Sequence, residues 1–343
     1  MKTTLVKILS IFTLLSVLFL TSQEASASQI NMPDESCEAL DVRDAMNPEL
    51  HDFFMKPSEQ GDIGWCFGYA ATDVLSQSIG KPVSSIYVSV NYISRLTSVG
   101  KWARELLNGK AATPEAGFIA SAINEAKDLG QVCTSEGVPY QGVFKVNSYI
   151  SRTGTFLTNL QRLRDNKCEK SCEQVVDAGI KYFLSSLQVA DVKKYLISNP
   201  QLSLEKAFFS LLNSSCGNNR VAVSQNINVE TAIQSTLQPG QPHYDASKDI
   251  VNKIDSALEK NKVVGLEYNA GHITAAGGTM GGFHASTIIA RKTIDKMCHY
   301  LVRNSWGSAC NYRSGIICEK EQGAYWVDKM TLRKMASKIV WIN

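Results

Sequence analysis

The chain has 343 residues and a formal net charge of +3, with 44% of its residues hydrophobic and 20% charged. This balance indicates a globular protein with a substantial core and excludes a disordered or low-complexity chain. The weak net charge, without any run of Lys and Arg, offers no basic surface for nucleic acid.

The first residues predict an export signal. Lys2 and Lys7 precede Ile8–Leu20, a mostly apolar stretch of 13 residues, and Ala25-Ser26-Ala27 resembles a cleavage site. We therefore predict a signal peptide over 1–27, cut after Ala27. A membrane anchor is the alternative, but this stretch is shorter than the roughly 20 apolar residues that span a bilayer. The remaining chain is expected to be exported, periplasmic or extracellular, and free of the membrane.

Helices are predicted early in the chain and strands later. We expect a buried helix at Cys66–Ile79, stopped by Gly80, and a second helix at Pro114–Leu129, stopped by Gly130. Residues 146–245 have the pattern of a helical insertion between the segments 28–145 and 246–343. The last segment is expected to contain a helix and then strands, at Ser247–Lys260, Val263–Tyr268, His284–Ala290 and Tyr300–Arg303. This order predicts an α+β fold.

Nine cysteines are consistent with an oxidising compartment, where disulfides form. If Cys66 is a free thiol, the other eight could form four bridges of undetermined connectivity: Cys37, Cys133, Cys168, Cys172, Cys216, Cys298, Cys310 and Cys318. The pair Cys168 and Cys172 could instead bind zinc, but no second Cys or His pair lies close enough in sequence to complete four ligands.

The segment 60–67 places a cysteine at the start of the predicted buried helix. Unpaired N–H groups and the helix dipole stabilise a thiolate there, so we expect Cys66 to have a lowered pKa and to act as a nucleophile. Gly61 and Gly64 would let the preceding loop turn tightly. The side-chain amide of Gln60 could join the backbone N–H of Cys66 in binding an oxyanion. An inert core cysteine is the alternative.

A candidate base, His284, opens a predicted strand after a glycine-rich loop, and Asn304 ends a second strand twenty residues later. If the two strands pair through a loop at 293–298, the Asn304 amide would accept the imidazole N–H and set its tautomer. Trp306 could cover that bond. His272, which also lies near glycines, is the rival base, and Asn304 and Trp306 could simply be turn and core residues.

Together these elements resemble the papain-like cysteine peptidases. The order Cys66, His284, Asn304 matches the family, as does Gln60 six residues before the cysteine, and Asn304-Ser305-Trp306-Gly307 is identical to the family's motif. The resemblance covers about 41–145 and 249–343. It implies a two-lobed fold in which a helical lobe and an antiparallel β-barrel-like lobe enclose a cleft.

The resemblance also implies the substrate and its contacts. The substrate would be a peptide or protein, hydrolysed through a thioester on a Cys66 thiolate that is paired with protonated His284, without metal or cofactor. Ala116 and Gly117 correspond to the glycine pair that lines the family's substrate cleft, and Trp65 and Trp306 are further candidate substrate contacts.

Departures from the family pattern put the usual substrate preference in doubt. The family's disulfide between the position of Ile63 and a Cys near Gly117 is missing, and Trp65 is bulky beside the sulfur. The 38 residues between the predicted cleavage site and Cys66 leave no room for the family's helical propeptide. We hypothesise that the insertion caps or shapes the cleft instead.

Other functions stay open. The chain could be a catalytically silent papain-like protein that binds peptides or a partner, because fold does not guarantee function. It could be another acyl-transfer enzyme with the same side chains, such as a cell-wall amidase or a transamidase. It could also be a structural secreted domain whose Cys66 is tied up in a disulfide.

Overall fold

The protein is built on an antiparallel sheet that packs against helices. The computed structural model describes residues 35–96, 117–139, 141–234, 249–275 and 282–343. The strands are β1 (Leu40–Asp41), β2 (Gln131–Cys133), β3 (Val143–Val146), β4 (Tyr149–Arg152), β5 (Arg220–Ala222), β6 (Val229–Ile233), β7 (Val264–Asn269), β8 (Phe283–Ile294), β9 (Met297–Arg303), β10 (Ile317–Glu319), β11 (Ala324–Asp328) and β12 (Ala336–Ile342). The main sheet has the order β10-β11-β9-β8-β7-β12-β6, with β1 also paired to β8.

Helices flank this sheet and also form most of the predicted insertion. They are α1 (Pro48–Met55), α2 (Cys66–Ile79), α3 (Ser85–Arg95), α4 (Ile119–Leu129), α5 (Thr153–Arg164), α6 (Lys170–Phe183), α7 (Val189–Ser198), α8 (Leu204–Ser215), α9 (Ile250–Leu258) and α10 (Lys329–Met335). Several begin with a side-chain cap, as at α1, where the Asn47 side chain accepts the N–H of Leu50. The expected α+β fold class is confirmed.

Helix α2 lies at the centre of the fold. It packs on β7 and β8 and against α3 and α4. Its apolar side chains recur at helical spacing and are fully buried at Phe67, Ala71, Val74 and Leu75. The helix ends where Gly80 adopts a left-handed φ of 79°, which suits glycine at a helix C-terminus. The predicted bounds of this helix are confirmed.

The hairpin β8–β9 is tighter than expected. The strands pair as predicted, with Thr287 opposite Arg303. The predicted loop over 293–298 is wrong, because β8 continues to Ile294 and β9 begins at Met297. The two residues between them, Asp295 and Lys296, have φ of 49° and 63°. Positive φ at both turn residues matches the twist of a two-residue hairpin, so the strands extend further than the sequence pattern suggests.

The second predicted helix and the helix after the insertion are both present in the described residues. Helix α4 begins at Ile119, while Pro114 lies outside the described residues. Helix α9 begins at Ile250, after Asp249 caps it through the N–H of Val251. Both of these helices bury an apolar face, as the spacing of their apolar residues predicts.

The segment 146–245 is not wholly helical. It contains α5 to α8, but β5 pairs with β2, and β6 pairs with β12 at the edge of the main sheet. Helices dominate the described part of this segment, as the sequence pattern indicates, and the strands are an addition that the pattern does not show. These strands are short and only partly buried, so they carry little hydrophobic periodicity, and pairing with distant strands stabilises them. The boundaries of the insertion stay a prediction.

Four disulfides use the eight remaining cysteines. Cys37–Cys298 joins the segment before β1 to β9, and Cys133–Cys216 joins β2 to the end of α8. Cys168–Cys172 and Cys310–Cys318 close short loops. Because Cys168 and Cys172 bond to each other, they do not form a zinc pair. Such bridges are consistent with an oxidising compartment.

Residues 36–343 form one compact unit. No helix within the described ranges is both long enough and apolar enough to cross a bilayer. The predicted signal peptide over 1–27 lies outside the described residues.

Candidate active site

The loop before α2 is bonded to the strand end that carries the Asn-Ser-Trp-Gly motif. The backbone N–H of Gln60 donates to the carbonyl of Ser305 at 2.9 Å, and the N–H of Gly307 donates to Ser58 at 2.8 Å. Glu59 forms an antiparallel bridge with Trp306 between these two bonds. Two segments 245 residues apart are thus held side by side.

A left-handed glycine shapes this loop. Gly61 has φ of +73°, and a Cβ placed on it would lie 2.6 Å from the carbonyl oxygen of Gly142. Gly142 in turn donates its N–H to the carbonyl of Glu59. Both the positive φ and the close backbone approach require glycine at position 61, as the sequence predicts from its place before the helix.

Cys66 occupies the first position of α2 and is the free cysteine of the described chain. The residue before it, Trp65, caps the helix with no side-chain hydrogen bond. The sulfur lies within hydrogen-bonding reach of the backbone N–H groups of Ala285, Phe67 and Cys66 itself. Because the thiol is not in a disulfide, the possibility of a purely structural, bridged Cys66 is ruled out.

Burial raises the pKa of the Cys66 thiol to about 11. The three backbone N–H groups lower that pKa and the carboxylate of Glu267 raises it, but the loss of hydration has the largest effect. The expectation that the helix terminus gives Cys66 a lowered pKa is therefore wrong, because burial outweighs the backbone N–H groups. The sequence pattern shows the helix start, but it does not show how much of the sulfur the surrounding structure buries.

His284 lies on β8 with its imidazole enclosed by aromatic rings. Its ring lies 4.4 Å from the ring of Trp306 between centroids, with the two planes tilted by 30°, and Tyr268 meets it edge-on at 5.4 Å. The side chain is buried, with 6% of its surface exposed. Burial lowers the pKa of His284 to about 4, although the hydrogen bond to Asn304 acts in the opposite direction. The imidazole is therefore neutral near pH 7.

Asn304 sets the tautomer of this imidazole. Its Oδ1 lies 2.8 Å from Nε2 of His284 and also accepts the hydroxyl of Ser286 at 3.2 Å and the N–H of Ser305 at 2.8 Å. Its Nδ2 donates to the hydroxyl of Tyr312 at 3.2 Å, which fixes the orientation of the amide. Because Oδ1 can only accept, Nε2 of His284 carries the proton, and Nδ1 is left as the basic nitrogen.

Strand β8 carries both His284, the candidate base, and a backbone N–H that reaches the Cys66 sulfur. Ala285, whose N–H reaches the sulfur of Cys66, directly follows His284 in the chain. The rival histidine, His272, lies in a short 3-10 turn after β7 and, among the described residues, forms no hydrogen bond with Cys66 or Asn304. The structure thus assembles Cys66, His284 and Asn304 and leaves His272 apart.

Gln60 is buried beside the nucleophile loop. Its Nε2 donates to the carbonyl of Ile63 at 2.8 Å, and its Oε1 accepts the hydroxyl of Ser305 at 2.6 Å. These two bonds hold the amide in one orientation and use one of its two N–H protons. The second N–H is the donor that an oxyanion role would require.

The candidate substrate contacts separate into different environments. Trp65 lies in the core with 1% of its surface exposed, where it lines a small cavity with Leu157 and Phe208 of the predicted insertion. Its expected place at the cleft is therefore wrong, because its bulk is used to pack α5 and α8 onto the body. Trp306 remains partly exposed over His284, and Gly117 lies against the ring of Phe67.

One candidate substrate contact lies outside the described residues, and the sequence pattern does not reveal three side chains that orient the candidate catalytic amides. Ala116 is not among the described residues. Ser286, Ser305 and Tyr312, which orient Asn304 and Gln60, were not singled out from the sequence. Ser286 could have been found, because it lies two residues after His284 on one strand and so shares its face. Tyr312 carries no comparable local signal.

No cluster of metal-ligating side chains was found within the described ranges. The site consists of one thiol, one imidazole and amides, which are the groups that acyl transfer through a sulfur nucleophile uses.

Comparison with known proteins gives only distant similarities to solved structures. No family model and no curated protein matches the chain. A solved structure of digestive procathepsin L 3 of the Tenebrio molitor larval midgut is 11% identical with a TM-score of 0.42, covering 91% of this chain and 73% of that one. The structure of digestive procathepsin L2 proteinase from the same source is 12% identical with a TM-score of 0.41, covering 92% of this chain and 69% of that one.

The recombinant stem bromelain precursor is 11% identical with a TM-score of 0.40, covering 91% of this chain and 76% of that one. Values this low say nothing about activity. The arrangement itself, a helix that begins at a free cysteine and packs on an antiparallel sheet carrying His284 and Asn304, does not depend on them. The described residues thus form an α+β fold, as the sequence predicts.

Proposed function

We propose that this protein is a cysteine peptidase that hydrolyses peptide bonds through a thioester on Cys66. The observation that supports this most strongly is the bond from Nε2 of His284 to Oδ1 of Asn304, on the strand whose next N–H reaches the Cys66 sulfur. A base with its proton-accepting nitrogen free, placed beside a free thiol, is the requirement for nucleophilic catalysis by cysteine.

The reaction starts from the neutral thiol and the neutral imidazole. The raised pKa of Cys66 and the lowered pKa of His284 both disfavour a thiolate paired with an imidazolium. Nδ1 of His284 therefore takes the thiol proton as the sulfur attacks the peptide carbonyl carbon. An S–C bond forms, and the carbonyl oxygen becomes an oxyanion that the Cys66 N–H and the second N–H of Gln60 bind.

The imidazolium then supplies its proton to the leaving amine, and the C–N bond breaks to give the thioester. Water attacks the thioester carbonyl while Nδ1 of His284 accepts a proton from it. Collapse of this second oxyanion breaks the S–C bond, and the proton returns to the sulfur. Asn304 keeps the ring oriented through both steps, since its Oδ1 holds Nε2.

We further propose that the protein acts after export, in a periplasmic or extracellular compartment. Four disulfides support an oxidising environment. The predicted signal peptide over 1–27 supports the same location.

The test compares the wild-type protein with Cys66→Ala on a library of peptides, with cleavage products identified by mass spectrometry. We expect wild-type cleavage and a rate at least about a thousandfold lower in the variant, because the nucleophile is removed. His272→Ala is the matched control and should keep wild-type activity.

Two outcomes would favour the other candidates. A wild-type protein that cleaves no peptide but binds peptides with measurable affinity would favour the catalytically silent protein. Amide cleavage or amide exchange on peptidoglycan fragments, without cleavage of the peptide library, would favour a cell-wall amidase or a transamidase.

A further inference from the structure

Glu267 is a buried carboxylate beside the candidate nucleophile that the proposed reaction does not use. Only 3% of its surface is exposed. It lies on β7 opposite Ala285 of β8, the residue whose N–H reaches the Cys66 sulfur. It is close enough to Cys66 that its charge raises the pKa of the thiol.

The described contacts of this carboxylate are few. Its Oε1 accepts the N–H of Ile119 at 3.0 Å, at the start of α4, where the preceding residue provides no side-chain cap. Lys338, opposite Glu267 on β12, lowers the pKa of the carboxyl group, but within the described part of the chain no Lys, Arg or His nitrogen lies within 4.0 Å of the Glu267 carboxylate. Burial has the larger effect and raises that pKa.

A buried carboxylate without an adjacent cation is costly, since one N–H bond replaces only part of its hydration. A helix cap alone would not require a charge, because the amide oxygen of a glutamine accepts the same N–H. The charge is therefore the feature that the structural role of Glu267 leaves unexplained.

Exposed aromatic side chains lie on both elements next to Glu267. Phe118 immediately precedes Ile119 and is 49% exposed, and Phe283 immediately precedes His284 and is 66% exposed. Side chains alternate along a strand, so Phe283 and Ala285 point to the same face of β8, and Glu267 points to that face from β7. Aromatic faces of this kind pack well against the aliphatic stems of lysine and arginine and attract their charge.

We propose that Glu267 determines substrate specificity by pairing with a lysine or arginine side chain of the substrate close to the scissile bond. The cationic head would meet the carboxylate, and its stem would lie on Phe118 and Phe283. This inference rests on the proposed peptidase function and names its substrate class.

Pairing would also act on the nucleophile. The negative charge of Glu267 disfavours a thiolate at Cys66, and a substrate cation would neutralise that charge once bound. A substrate with the matching side chain would thus ease the loss of the thiol proton, which links recognition to kcat as well as to KM.

The test uses pairs of peptides that differ in charge but little in shape: arginine against citrulline, and lysine against norleucine. We expect the wild-type protein to favour the charged member in kcat/KM by about 10- to 100-fold, the range of a charged hydrogen bond. Glu267→Gln keeps an acceptor for Ile119 and should remove the preference, and kcat on the uncharged peptides should rise rather than fall, because the negative charge that disfavours the Cys66 thiolate is gone. Glu321→Gln, at an exposed glutamate, is the matched control and should keep the preference.

The outcomes separate this inference from the function it rests on. Equal wild-type rates on arginine and citrulline peptides would overturn the specificity role and leave the peptidase intact. A Glu267→Gln variant that loses activity equally on charged and uncharged peptides, with a lowered melting temperature, would show that Glu267 is only a cap for α4. Failure of the wild-type protein to cleave any peptide would instead refute the proposed function.

Discussion

A buried ion pair connects the segments that carry the candidate catalytic groups, and removing one partner is the sharpest test of that arrangement. Arg303, next to Asn304, donates from Nη1 to both oxygens of Asp73 on α2 at 2.9 and 2.8 Å. Asp73 also accepts the hydroxyl of Thr287 on β8 at 2.8 Å. Side-chain exposure is 1% for Arg303 and 5% for Asp73.

Arg303 also holds the end of α1 and the chain that leads towards Gln60. Its Nη2 donates to the carbonyls of Phe53 and Lys56 at 3.3 and 3.1 Å, and its guanidinium lies over the rings of Phe53 and Phe54. Arg303→Met would leave the Asp73 carboxylate buried without its cation. It would also remove the Nη2 donor from the carbonyls of Phe53 and Lys56, although the Phe53 carbonyl keeps the N–H of Lys56. We expect this variant to lose about 4–5 kcal/mol of unfolding free energy, near the top of the range for breaking a buried pair.

The double variant Asp73→Leu with Arg303→Met removes both charges. We expect it to recover most of that loss, because apolar side chains of similar volume replace a buried pair at little cost. Arg95→Met is the matched control for an exposed pair with Glu125, whose side chains are 34% and 32% exposed. It should cost no more than about 1 kcal/mol.

The loss of unfolding free energy caused by Arg303→Met should also depend on pH. Burial raises the pKa of Asp73, and the charge of Arg303 lowers it, so loss of the arginine raises that pKa further. The native variant then binds a proton more readily than the unfolded chain, and its stability falls as pH rises. The loss should be smaller in acid, where Asp73 is protonated, than at about pH 8.

Urea unfolding of the four proteins in acid and at about pH 8 measures these differences. A double variant as unstable as the single one would refute the reasoning, since the cost would then lie in lost packing rather than in an unpaired charge. A loss of unfolding free energy in Arg303→Met no larger than the loss in Arg95→Met would also refute it.

Three further predictions concern the site and the bridges. The rate of Cys66 alkylation should rise continuously with pH up to about 11, without a plateau near neutrality, because the thiolate is the reactive form. A rate that is already constant from acidic pH onward would show instead that Cys66 is a thiolate paired with protonated His284. Asn304→Ala should lower kcat by about 10- to 1000-fold with little change in KM and lower the pKa of His284 further, because the lost bond raises it; an unchanged kcat would contradict this. Replacing Cys133 and Cys216 by serine removes a bridge with a sequence separation of 83 and should lower the free energy of unfolding by about 4–5 kcal/mol, as measured by chemical unfolding. Removing the bridge between Cys168 and Cys172, with a separation of 4, should lower it by only about 2 kcal/mol, and equal losses would contradict the loop-entropy argument.

Local patterns were sufficient for several features. Apolar residues at helical spacing followed by Gly80 predict α2 from its first residue to its last. Alternation and the twenty-residue separation predict the pairing of the strands that bear His284 and Asn304, because a hairpin brings such positions together. The carboxamide of Asn304 beside the imidazole follows from that pairing.

Other features depend on groups that are distant in sequence. The inward position of Trp65, the pairing of β6 with β12 and the connectivity of the disulfides each depend on segments that meet only in the folded chain. The raised pKa of Cys66 has the same origin, since the helix terminus is a local feature but the burial of the sulfur is not. The sequence by itself therefore determined which chemical groups are present and the helix and strands that carry them. Only the tertiary structure decided their hydration and their neighbours, because burial and electrostatic coupling are sums over the whole fold.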